Sequence, residues 1–178
     1  VILGNHDIYY RNSLRVNTLE QMVVEQYNNI SVINQSKMTD YGVAIPWIVK
    51  ENRQQAIDML RDWADGQFVF GHFDLQGFQQ TRTTLSQHGE DISIFAGARH
   101  VFSGHFHHRH TKGNITYCGS VQQHTWDDLG ASRGFHILDV DTGELQFFEN
   151  PYKLFTMIEY NADKPEFDNV KGQYVRIK

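Results

Sequence analysis

The sequence predicts an α/β domain, in which a central sheet carries helices on its faces. Two observations predict this class. Short apolar runs that end in glycine recur along the chain, as buried strands do. Apolar residues at helical spacing separate the early runs, whereas strand-like runs dominate the later part. With 178 residues, of which 40% are hydrophobic and 21% charged, the chain is long enough to bury one such core.

The first part of the chain alternates strands and helices. Apolar residues at helical spacing predict a helix over 14–27 and a second over 53–65. Asn52 is positioned to cap the second helix, with Gln55 reaching back in a variant of the capping box. Strand-like runs are found at 1–3, 30–33 and 41–45.

The second part of the chain is dominated by strands. The turn at Asp141-Thr142-Gly143 predicts a hairpin between 134–140 and 144–148. A polar stretch at 162–169 contains Pro165 and is interpreted as a linker. Further strands are predicted at 67–70, 100–103, 115–118, 154–160 and 172–177.

Composition excludes several classes of protein. The net charge of −5 argues against non-specific binding of nucleic acid by charge alone. A single cysteine, Cys118, forms no internal disulfide and fits a reducing compartment. Neither a membrane-spanning run nor a secretory signal is visible, so we expect a cytoplasmic protein without a membrane partner. Because the chain opens on an apolar run at Val1, we expect it to be a fragment that lacks upstream segments.

Three of the apolar runs end in glycine followed by a side chain able to bind metal. Sites in open α/β sheets gather just beyond the carboxyl ends of strands. Imidazole nitrogen suits zinc, manganese or iron, and asparagine adds a neutral amide oxygen. The three ends are Gly4-Asn5-His6-Asp7, Gly71-His72 and Gly104-His105-Phe106-His107.

Each of these ends also has a simpler interpretation. A lone Gly-His is usually a turn, and Asn5-His6-Asp7 could be an Asx turn. The basic run from His108 to His110 could be a solvated loop. Three such ends in one chain, with ten histidines in all, are harder to explain as turns and favour a metal site in the intact protein.

The three ends resemble the third, fourth and fifth motifs of the calcineurin-like metallophosphoesterases in order and spacing. Sequence between and after them resembles the DNA-repair nuclease branch, which includes SbcD-type and bacteriophage recombination endonuclease subunits. The stretches that carry this narrower resemblance are Ile45-Pro46-Trp47, Tyr117-Cys118-Gly119-Ser120, Thr125-Trp126-Asp127-Asp128, Arg133-Gly134-Phe135 and Asn150-Pro151-Tyr152.

The resemblance implies a metallophosphoesterase-like β-sandwich flanked by helices, incomplete in this chain. Residues 1–150 would form the C-terminal part of the nuclease domain, and 151–178 the start of a DNA-facing capping domain. The family's first two motifs, Asp-x-His and Gly-Asp-x-x-Asp, have no counterpart here. They supply most ligands of one metal, so we expect this polypeptide alone to bind at most one metal and to hydrolyse little.

The resemblance also implies roles for single residues. Asn5, His72 and His105 would bind one of two divalent metals, and His107 the other. His6 would act as a general acid beside the leaving oxygen, oriented by Asp7. Manganese is the expected metal, with magnesium, zinc or iron as alternatives.

Three functions compete. The first is a subunit of a metal-dependent DNA nuclease in double-strand-break repair and recombination, working on DNA with an SbcC-type SMC-like ATPase. The second is another phosphoesterase, acting on nucleotides or phosphoproteins, and the third is an inactive truncated product. In the nuclease family the region matching 14–27 helps to form a homodimer, although its apolar stripe is more simply core, the interpretation we favour.

Overall fold

A six-stranded mixed sheet forms the centre of the molecule, whose computed structural model describes residues 1–24, 26–160 and 168–178. The sheet order is β1-β2-β3-β4-β6-β5. Strands β2, β3, β4 and β6 run parallel, and the edge strands β1 and β5 are antiparallel to their neighbours. The strands are β1 (Lys37–Thr39), β2 (Gly42–Ile45), β3 (Phe68–His72), β4 (His100–Gly104), β5 (His110–Lys112) and β6 (Ile115–Tyr117).

One face of this sheet is covered by helix α1 (Arg53–Trp63). Its buried residues Ala56 and Leu60 belong to the main hydrophobic core, together with Val69 and Val101 of the sheet. This arrangement confirms the predicted α/β class. The expected capping box at Asn52 is wrong, because the Asn52 amide oxygen accepts the Val49 N–H at 2.7 Å and its amide nitrogen donates to the Trp47 carbonyl at 3.1 Å.

The helix predicted over 14–27 is replaced by a short π-helical turn, Glu20–Val24, in the described residues. The Asn17 side chain accepts the Glu20 N–H at 2.8 Å and donates to the Leu14 carbonyl at 3.0 Å, which holds this stretch in a bend. Leu14 is buried, but Met22 is 60% and Tyr27 51% exposed. The core interpretation of the apolar stripe is therefore wrong for Met22 and Tyr27.

Two smaller sheets follow the central one. The predicted hairpin is present as β7 (Gly134–Leu138) and β8 (Leu145–Glu149). It meets the edge of the central sheet where the Arg109 guanidinium lies 4.0 Å from the centre of the Phe147 ring. Strand β9 (Phe155–Ile158) pairs in parallel with β10 (Tyr174–Ile177).

The predicted linker at 162–169 lies mostly outside the described residues. Within the described part of the chain, the helices are too short and too polar for any of them to cross a bilayer.

The sheet brings the ends of its parallel strands to one edge. His72 at the end of β3 is paired in register with Gly104 at the end of β4. The Ser103 hydroxyl accepts the Phe73 N–H at 3.0 Å, and the Cys118 N–H donates to the Ser103 carbonyl at 2.9 Å. These bonds fix the segments just beyond β3, β4 and β6 relative to one another, as a shared site at this edge requires.

Candidate metal centre

Three of the proposed ligands converge at this edge. The Asn5 amide oxygen lies 3.0 Å from Nε2 of His72 and 3.3 Å from Nδ1 of His105. The His72 and His105 rings are 5.4 Å apart between centroids. Asn5 is separated from the two histidines by 67 and 100 positions of sequence, so the cluster is a product of the tertiary fold.

Two glycines make room for the His72 ring. A Cβ added to Gly104 would lie 2.7 Å from Nδ1 of His72, and one added to Gly4 would lie 3.0 Å from its Cε1 atom. Neither glycine has a positive φ, so the constraint is space and not backbone conformation. Glycine at positions 4 and 104 therefore permits the close approach of the imidazole.

His105 occupies a strained backbone position. Its φ of 85° makes it the one residue other than glycine with positive φ in the described part of the chain. Such a conformation costs about 1–3 kcal/mol and is found preferentially at functional sites. The Trp47 ring packs on this residue, with its centroid 4.9 Å from that of His105 and 5.9 Å from that of His72.

The clustered imidazoles are held in their neutral form. Burial, followed by the neighbouring His105, lowers the pKa of His72 to about 4. Burial also lowers the pKa of His105. A lowered histidine pKa means that the neutral ring prevails at neutral pH. The neutral imidazole is the form that binds metal ions.

His107 lies on the same cavity but apart from these three residues. Its side chain is 45% exposed, and its Nδ1 atom lies 3.7 Å from a carboxylate oxygen of Asp128. The His107 ring is 5.2 Å from that of His124, another residue of the cavity wall. Burial lowers the pKa of His107, whereas the Asp128 carboxylate acts to raise it.

The cavity has a volume of about 660 Å³. It is open to solvent on the side of His6, which is exposed. All of the proposed ligands and His6 line it, together with Gln80, Gly104, Phe106, Gly119, Ser120, Val121, Gln122 and His124. A space of this size admits part of a substrate and does not fit tightly around a single ion.

Asp7 makes a contact that the sequence did not predict. Its carboxylate accepts the Gly4 N–H at 2.7 Å, which closes the turn that presents Asn5. The Thr18 N–H in turn donates to the Asp7 carbonyl at 2.8 Å. Orientation of the His6 ring by Asp7 stays a prediction.

The donor atoms of the cluster are compatible with one divalent cation. Two ligand atoms about 2.1 Å from one ion, at right angles to each other, lie about 3 Å apart. The measured separations of 3.0 and 3.3 Å fit that spacing. The cluster consists of two imidazoles and an amide, and among the described residues no group of three or more His, Cys, Asp or Glu side chains is arranged to hold a metal ion.

The sequence did not identify every residue of the site as a site residue. Trp47 follows β2, which is parallel to β3, so the rule that identified His72 would also have identified Trp47. Asp128 and Arg133 come from the loop after β6, where no periodic pattern marks them. Their buried ion pair, with 2.6 Å between Arg133 Nη2 and Asp128 Oδ1, became evident only in three dimensions.

Sequence comparisons link the chain to nucleases. It is 27% identical over 182 aligned positions to exonuclease subunit 1 of Enterobacteria phage T4, a match that covers 98% of this chain and 53% of the relative. It is 22% identical over 117 positions to the SbcD subunit of the SbcCD nuclease of Staphylococcus epidermidis, covering 62% of this chain and 31% of the relative. The chain thus spans about half and about a third of the lengths of these relatives.

No family model matches the chain. The T4 match nevertheless runs over almost the whole of it. The resemblance to SbcD-type and bacteriophage nuclease subunits is therefore confirmed.

Proposed function

We propose that this chain belongs to a subunit of a metal-dependent DNA nuclease that hydrolyses phosphodiester bonds in double-strand-break repair and recombination. The observation that carries the proposal is the meeting of the Asn5 amide oxygen with Nε2 of His72 and Nδ1 of His105, within 3.0 and 3.3 Å. DNA as the substrate rests on the names of the relatives, both of which are nucleases.

The proposal assigns two divalent cations to the site of the intact protein. Asn5, His72 and His105 would hold one, and His107 would contribute to the other. Bound cations would polarise the phosphodiester and lower the pKa of a water molecule that serves as nucleophile. Manganese is the proposed metal. Magnesium, zinc and iron are the alternatives, because imidazole and amide ligands bind more than one of these metals.

The chain's own side chains would supply the remaining steps. His6, at the open side of the cavity, would donate a proton to the departing sugar oxygen, which avoids the release of an alkoxide. Asp7, whose carboxylate accepts the Gly4 N–H, would orient the His6 ring. Trp47, packed on His72 and His105, would keep water from the back of the cluster.

The same proposal covers the domains and partners. Residues 1–150 would be the C-terminal part of a metallophosphoesterase-like β-sandwich, and 151–178 the start of a capping domain that faces DNA. Exposed Met22 and Tyr27 would lie in a homodimer contact, because large apolar side chains left exposed are available for an interaction surface. An SbcC-type ATPase would be the partner, and the complex would work in the cytoplasm.

The test uses the full-length protein. Linear duplex DNA and p-nitrophenyl phosphate are offered separately with Mn²⁺, to the wild type and to His105→Ala. We expect DNA hydrolysis that depends on Mn²⁺ and falls at least a hundredfold in the variant. His88→Ala is the matched control, because His88 is exposed and lies outside the cavity.

Two results would overturn the proposal. Rapid cleavage of the small ester without cleavage of DNA would assign the site to another phosphoesterase. Equal activity of His105→Ala and wild type would show that the reaction does not depend on the proposed metal site.

A further inference from the structure

A buried ion pair lies directly behind His107. Asp128 and Arg133 are 1% and 4% exposed at their side chains, and Arg133 Nη2 donates to Asp128 Oδ1 at 2.6 Å. The second carboxylate oxygen of Asp128 lies 3.7 Å from Nδ1 of His107. Burying a charged pair costs free energy, so its position against one imidazole of the cavity calls for an explanation.

The Asp128 carboxylate is fixed from several sides. Its Oδ2 atom accepts the backbone N–H groups of His124 at 2.7 Å and Thr125 at 2.9 Å. Thr125 and Asp128 also form a capping box at the short helical turn Trp126–Asp128. Because two backbone donors and one guanidinium hold it, the carboxylate cannot rotate away from His107.

Arg133 closes the arrangement around His107. Its Nη1 donates to the Ser120 hydroxyl at 3.1 Å, and the Ser120 N–H donates to the His107 carbonyl at 3.0 Å. The ion pair is therefore linked to the backbone of His107 through Ser120 and faces its ring through Asp128. Ring and backbone are both constrained by the same two charged residues.

We propose that Asp128 is a positioning residue, which keeps the proton of neutral His107 on Nδ1 and leaves Nε2 free to bind a cation in the cavity. Arg133 holds Asp128 in place for this task. The inference rests on the proposed function in that it takes His107 as a ligand. At 3.7 Å the contact is longer than a hydrogen bond, but the carboxylate still favours an N–H on the ring atom that faces it.

Carboxylates that face a ligating histidine commonly determine its tautomer and orientation. Loss of such a partner typically costs about 10- to 100-fold in metal affinity. His105 and His72 contact the Asn5 amide oxygen and the Trp47 ring, and among the described residues neither has a carboxylate oxygen within 4.0 Å. Among the proposed ligand imidazoles, His107 is the one that needs this support, since its side chain is 45% exposed.

The experiment reads the tautomer directly. Full-length protein labelled with ¹⁵N-histidine is measured without metal at pH 8 by long-range ¹H–¹⁵N correlation. We expect His107 to carry its proton on Nδ1 in the wild type and to shift toward Nε2 in Asp128→Asn. Mn²⁺ affinity, measured by calorimetry, should fall about 10- to 100-fold in that variant.

The matched control is Asp127→Asn, the same loss of charge one residue earlier. The Asp127 carboxylate faces Nε2 of His108 at 3.2 Å, so its removal should leave the His107 tautomer and Mn²⁺ affinity unchanged. A wild-type His107 protonated on Nε2 would overturn the proposal, even if Asp128→Asn failed to fold. A shift of the tautomer in the control as large as in Asp128→Asn would overturn it as well.

The tautomer is read without metal and without substrate, so it tests Asp128 independently of nuclease activity. Failure of the proposed function would be detected in the separate activity assay, in which full-length wild-type protein would not hydrolyse DNA with Mn²⁺.

Discussion

The cavity has two sides that are built in different ways: a strand side with Asn5, His72 and His105, and a loop side with His107. His72 and His105 lie at the ends of β3 and β4, where backbone pairing and two glycines determine their positions. Asn5 lies beside them in a turn that the Asp7 carboxylate closes by accepting the Gly4 N–H. His107 lies in the loop after β4, outside the strand pairing of the sheet. The buried Asp128–Arg133 ion pair holds it in position there. Strand pairing positions His72 and His105 without an ion pair, whereas in the loop a buried ion pair supplies the rigidity that a precise site requires.

This difference predicts that the loop side depends on one electrostatic pair for stability. Arg133→Ala would leave the Asp128 carboxylate buried and without its cationic partner, which typically costs about 3–5 kcal/mol. We expect a loss of that size in the free energy of unfolding, measured by urea denaturation of the full-length protein. The control is Arg61→Ala, because Arg61 also pairs with carboxylates but is 63% exposed.

Little change is expected for Arg61→Ala, since exposed ion pairs contribute little. Equal stability losses in the two arginine variants would contradict the view that the buried pair is what orders the loop.

On the strand side, space matters more than charge. Gly104→Ala would place a Cβ 2.7 Å from Nδ1 of His72 and displace that ring from Asn5. We expect Mn²⁺ affinity of this chain, measured by calorimetry, to fall about tenfold or more, since misplaced ligands lose much of their binding. The wild-type chain alone should show at most one tight site.

Gly97→Ala is the matched control for crowding. Its added Cβ would lie 3.1 Å from an Asp65 oxygen, away from the cavity, and Gly97 also has no positive φ. Unchanged Mn²⁺ affinity in Gly104→Ala would mean that His72 is not a ligand.

The same contrast explains what the sequence could predict. The convergence of His72 and His105 was predictable, because parallel strands end at one edge and glycine marks those ends. Asn5 joins them although the strand predicted at 1–3 is only an isolated bridge between Ile2 and Ile33. The pairing of His107 with Asp128 was not predictable, because it joins two loops through side chains and leaves no periodic pattern. The helix over 14–27 failed for a related reason, since Asn17 uses its amide in local bonds that bend the chain.

The reactivity of Cys118 measures how well the strand side of the cavity excludes solvent and reagents. It follows β6, and its N–H donates to the Ser103 carbonyl at the end of β4. Burial raises the pKa of its thiol from 9.0 to about 11, and at one factor of ten per unit this leaves about a hundredfold less thiolate at pH 8. A raised cysteine pKa favours the neutral thiol, so reactivity should appear only as the pH rises toward 11. We expect alkylation by iodoacetamide at pH 8, followed by mass spectrometry, to be about a hundredfold slower in the folded chain than in urea. A folded-state rate near that in urea would mean that the strand ends open readily, and the distinction between a rigid strand side and a supported loop side would then be lost.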